Sequence, residues 1–239
     1  MFSARKFATI AALAGAIAAA PVVAGVVVKS SGPSASTYPV GKKLDDAGSV
    51  TLREGDSLTV LTGTGTRVLR GPGTHRIGER GKSKRTAFAM LTRQRSGARV
   101  RTGAVRSGTG AATVPVNPNL WNVDVTRAAT MCVPAGEAIG FWRPGTTGAQ
   151  ALTLRSRTSD FRVEVTFADG GATTVLGPER LPLAQGLSYD LEGTGGATAK
   201  RIDFVVMDDV PRDAEGLAVA LAEKGCMAQL DLLSERLAN

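Results

Sequence analysis

Between Leu120 and Met207 the chain is cut into short apolar runs, and no other feature restricts the fold as much. Apolar or β-branched residues alternate with polar ones over 121–125, 129–133, 138–142, 151–155, 161–167, 172–176, 188–191 and 201–206. A period of two is that of a half-buried strand, and eight such runs with turns every eight to twelve residues predict an antiparallel β-sandwich. One hairpin is expected within it. Phe161, Val163, Val165 and Phe167 share a face, Asp169-Gly170 supplies a tight turn, and Thr174 and Leu176 begin the return. Glycine, 29 of 239 residues, is nearly twice its usual share and favours turns over long helices.

The same alternation, weaker, precedes the sandwich. Strands are expected at 50–53, 57–61 and 66–69, with a further one over 73–77, a short helix at 86–94 and a strand at 98–106. At the other end the period changes. Ala214, Leu217 and Leu221 fall on one helical face, Gly225 interrupts, and Cys226, Leu230, Leu233 and Leu237 recur as one stripe. The expected class is mainly β: a small basic module at 44–112, a sandwich at 113–212 and a C-terminal helical tail at 213–239 packed on it.

The N-terminus carries an export pattern. Arg5 and Lys6 precede a charge-free run over 7–28, and Val22-Val23-Ala24 ends in the small residue that a signal peptidase requires. Residues 1–24 are read as a signal peptide, with an uncleaved membrane anchor as the alternative. Both place the remainder beyond the inner membrane, in the periplasm or outside a Gram-negative cell. Residues 25–43, which contain Ser-Ser-Gly-Pro-Ser-Ala-Ser, are expected to form a flexible linker. In an oxidising compartment Cys132 and Cys226, the only two cysteines, are expected to form one disulfide.

Charge is segregated. Residues 53–106 carry a net +10 and residues 107–239 a net −5. Arg80, Lys82, Lys84, Arg85, Arg93, Arg95, Arg99, Arg101 and Arg106 stand in one stretch without an acid. That stretch suits an anionic surface or an acidic partner, or docks on the chain's own acidic half. Phe88 is its one aromatic, too few for the stacking that nucleic-acid recognition needs.

Several chemistries lack their residues. One His excludes a His-paired metal site, and two Cys exclude a four-cysteine zinc site or an iron–sulfur cluster held by one chain. Gly81-Lys82-Ser83 resembles the end of a phosphate loop, but Arg76 stands where its first glycine belongs. No Gly-x-Ser-x-Gly elbow is present, and His75 lies in a loop without a nucleophile signature. Asp213 and Glu215 are read as N-terminal helix residues, and Trp121 and Trp142 as core. No cofactor or metal is expected.

At 50–73 the chain resembles the sheet-forming periplasmic region of FecR-like bacterial proteins. Its Gly-Asp-x-Leu-Thr-Val-Leu run and Leu-x-Gly-Pro-Gly turn are similar also to exported alphaproteobacterial proteins with no assigned activity. Gly103-Ala104-Val105-Arg106, Phe141-Trp142-Arg143-Pro144 and Gly225-Cys226 extend the second likeness. The expectation is a non-enzymatic interaction or scaffold protein of the cell envelope. The alternatives are a FecR-like signal relay, for which only six residues precede the apolar run, and a hydrolase whose carboxylates meet only in the fold.

Overall fold

The computed structural model describes residues 23–45, 47–78, 85–93, 115–184, 186–193 and 199–238. It is mainly β, with an N-terminal β module, a sandwich and a C-terminal helical pair. The expected strand at 98–106 lies outside the described residues.

Strand β1 (Val23–Ser31) lies inside a four-stranded antiparallel sheet of order β2 (Lys43–Asp45), β1, β4 (Ser57–Thr62), β5 (Gly65–Arg70). This corrects the expected linker at 25–43. Val26, Val27 and Val28 are all buried, Val27 in one core and its two neighbours in another. A strand covered on both faces reads as a continuous apolar run, so its sequence shows no period of two. The Ser/Gly/Pro stretch is ordered in turn by the buried carboxylate of Asp56, which accepts from the N–H groups of Ser34 and Arg53. Turns at Ala35 and Tyr38 follow from that anchor.

Beneath this sheet, β3 (Ser49–Leu52) pairs with β6 (Gly73–Arg76). Val50 and Leu52 from that pair meet Leu58, Val60 and Leu69, the alternate inward residues of β4 and β5, in a small core. The helix expected at 86–94 is α1 (Arg85–Thr92).

The sandwich packs two sheets. One has the order β11 (Arg162–Phe167), β10 (Gln150–Ser156), β13 (Ser188–Gly193), β14 (Lys200–Met207), β8 (Ala129–Pro134). The other has the order β12 (Thr173–Leu176), β9 (Ile139–Trp142), β7 (Asn122–Asp124). Phe141, Phe167 and Phe204 fill the space between, and Tyr189 meets Phe204 edge-on at 5.7 Å. Most pairings are antiparallel, but β8–β14 and β7–β9 are parallel. Strand β8 between them belongs to the other sheet, so β7 and β9 run the same way and lie side by side.

The expected hairpin is corrected in the same terms. Val165 and Phe167 are buried on one face of β11 as anticipated. However, β11 pairs with β10, and β12 pairs with β9 in the opposite sheet. The Asp169-Gly170 turn is a corner between sheets. Asp169 accepts from the Gly148 N–H, and Gly170 donates to the Thr146 carbonyl. The buried Arg143 guanidinium fixes this corner, donating to the carbonyls of Gly171, Gly148 and Ala168.

Helices α2 (Ala214–Glu223) and α3 (Met227–Arg236) close the molecule. Asp213 caps α2 by accepting from the Gly216 N–H, as read from the sequence. Gly225, at φ 73°, turns the chain between the helices. Leu217, Leu221, Leu230 and Leu233 face a third core that also takes Val26, Leu61, Leu120 and Met207, so module, sandwich and tail meet there. Among the described residues no helix is long and apolar enough to cross a membrane.

Candidate binding groove

Cys132 on β8 and Cys226 at the start of α3 form the expected disulfide, both fully buried, with Cα atoms 5.8 Å apart. Gln229, one turn into α3, reinforces it. Its amide donates to the carbonyls of Cys132 and Leu120 and accepts from the Cys132 N–H at 2.7 Å. This buried side chain joins α3 to β8 and to the segment entering the sandwich. Every polar atom of its amide oxygen and nitrogen has a backbone partner, which burial demands.

That entering segment holds α1. The last carbonyls of a helix have no partner within it. Here Leu120 donates its N–H to the Leu91 carbonyl, the Trp121 indole donates to Thr92, and the Asn119 amide donates to Arg93. Trp121 is therefore a core residue that positions a helix, and Trp142 of β9 is buried as well.

A groove of about 1030 Å³ opens between α1, the turn after β4, the end of β8 and the 207–215 segment. Its apolar lining includes Phe88, Pro134, Met207, Val210 and Pro211. Glu137, Asp208, Asp209, Asp213 and Glu215 line it against two cations, Arg85 and Arg212. The turn after β4 lies against α2, where a Cβ on Gly63 would sit 3.0 Å from Glu215 Oε1. Burial raises the Glu215 pKa, and the neighbouring charge of Asp213 adds to that. A backbone hydrogen bond at Glu215 opposes both without cancelling them.

Among the described residues, no three His, Cys, Asp or Glu side chains stand together as a metal site requires. His75 Nε2 donates to the Arg70 carbonyl at 2.9 Å, and the residue lies outside the groove.

Of the basic candidates, Arg80, Lys82, Lys84, Arg95, Arg99 and Arg101 lie outside the described residues. Arg85 and Arg93 sit at the two ends of α1, and Arg85 lines the groove. Sequence reasoning noted Asp213 and Glu215 but not Glu137. Nothing local marks that residue, because the groove forms only when six separated segments converge. Comparison of the chain with family models, with curated proteins and with solved structures finds no match.

Proposed function

We propose that this chain is an exported, non-enzymatic interaction or scaffold protein of a Gram-negative cell envelope. In this reading the basic stretch over 80–106 meets an anionic surface, such as lipid headgroups or envelope polysaccharide. The observation that carries the reading is the buried Cys132–Cys226 bond. Disulfides of this kind persist in oxidising compartments and are rare in the cytosol. The export pattern of residues 1–24 and the segregation of charge agree with it. Asp213, which stands beside Glu215 in the groove, is engaged as a helix cap.

The test is sedimentation of the oxidised chain with vesicles that contain or lack anionic lipid, and with purified envelope glycan, at about 50 and 300 mM salt. Counterion release makes multi-cation binding fall steeply with salt. Association with the anionic vesicles or the glycan that disappears at the higher salt is expected. Salt-insensitive association, or none, would overturn the reading.

A further inference from the structure

We propose that the groove between the N-terminal module and the sandwich is a second binding surface, and that its occupant is an extended polypeptide segment of a partner protein bearing Lys or Arg side chains. This stands independently of export and of the basic stretch. Small-molecule sites run from about 300 to 1000 Å³, so a groove of about 1030 Å³ has room for several residues of extended chain. Its two surfaces match the two parts of a cationic side chain. The methylene stem of Lys or Arg lies on apolar surface such as Met207, Val210 and Pro211, while the charged head reaches outward to a carboxylate.

The rim supplies those carboxylates in excess. Glu137, Asp208 and Asp209 make no side-chain hydrogen bond or ion pair with another described residue, and neither does Arg212. Five acidic against two cationic side chains among the described lining residues give the groove a negative potential that selects a cation and repels an anionic chain. Glu215 adds to it, since Asp213 stands beside it and nothing cationic answers either in the described contacts. A Lys or Arg arriving there relieves the repulsion between Asp213 and Glu215.

The experiment is calorimetry of the full disulfide-bonded chain with an end-blocked octapeptide alternating Lys and Leu, and with the same peptide carrying Ser for Lys. Wild type should bind the Lys peptide and not the Ser peptide. The double variant Asp208→Asn, Asp209→Asn should weaken Lys-peptide binding about tenfold. The double variant Asp160→Asn, Glu164→Gln, remote from the groove, should bind within about twofold of wild type. Circular dichroism checks that all three proteins are folded. Equal affinity of wild type and the Asp208/Asp209 variant, or no binding by wild type, would overturn the proposal. Carbodiimide treatment of the peptide-free chain tests the other occupants. A link from these carboxylates to Lys82 or Lys84 of the same chain assigns the groove to the chain's own basic stretch. An intermolecular link assigns it to a second copy. Either result also overturns the proposal.

Discussion

The sandwich core closes around Phe141, Phe167 and Phe204, from strands that all lie between residues 122 and 207, whereas the junction core gathers Val26 near one end of the chain and Leu237 near the other. Both exclude water with large apolar side chains, and both are continuous. They differ in how far apart in sequence their parts begin. Bringing distant segments together costs loop entropy before any contact forms, and that cost grows with separation. The junction meets it with cross-links of long reach: the disulfide joins residues 94 apart, and the Gln229 amide holds backbone groups 97 and 109 residues away. In the sandwich the buried cross-link of Arg143 reaches no further than 28 residues.

The sharpest way to break this contrast is to remove the covalent link. Cys132→Ala with Cys226→Ala opens a loop spanning 94 residues. In the chain-entropy account such a loss costs about 4–5 kcal/mol. Urea denaturation should then show the helical tail unfolding first, read by far-ultraviolet circular dichroism, with the sandwich following at higher urea. A single coincident transition would mean that the two cores are one cooperative unit. Phe204→Ala probes the other side of the comparison. It removes a buried ring from the sandwich and should lower overall stability by about 3–5 kcal/mol. Its effect should be the same in oxidised and disulfide-free protein, because the ring lies in the other core. Gln229→Leu preserves the volume and strands the Cys132 N–H and the carbonyls it bonded. A cost of about 1–3 kcal/mol is expected in the same assay.

The smallest expected effect separates the regions by pH. Burial of Asp56 by itself raises its pKa. The hydrogen bonds from Ser34, the Arg53 N–H and the Arg53 charge outweigh that, and its folded pKa falls below the ordinary 3.8. A lowered folded pKa contributes stability that is full above 3.8 and is lost as pH falls through the folded value. Glu215 has the opposite sign. Its raised pKa contributes stability that is full below 4.5 and is lost as pH rises through the folded value. Acid should therefore loosen the N-terminal module, and a move toward neutral pH should loosen the junction. Thermal melts of Asp56→Asn and Glu215→Gln across pH 2–7 check this: each substitution should flatten its own limb and leave the other unchanged.

How legible each region was in the sequence follows from the same contrast. Strand Arg162–Phe167 shows in the sequence because one face meets the core and the other meets solvent. The leucine stripe after Cys226 shows for the same reason, with a helical period. Strand Val23–Ser31 is covered on both faces, so its apolar run is indistinguishable from the end of a leader segment. The corner at Asp169-Gly170 looks like a hairpin because the partners that redirect it, Arg143 and the Gly148 N–H, lie twenty or more residues earlier. The groove is the least legible feature. Its walls come from residues 62–64, 85–92, 121, 134–137, 207–215 and 237, and only the fold makes neighbours of them.

The position of Val23–Ser31 inside its sheet also bounds any trimming of the N-terminus. Gly25 faces Leu44 on one side, and Val26 faces Leu61 on the other, so both flanking strands depend on backbone from this point onward. A peptidase that stops at Ala24 removes only the outermost rung. One that cuts a few residues further in takes the plank from the middle of the floor, exposing unpaired edges of Lys43–Asp45 and Ser57–Thr62 together, and such edges invite aggregation.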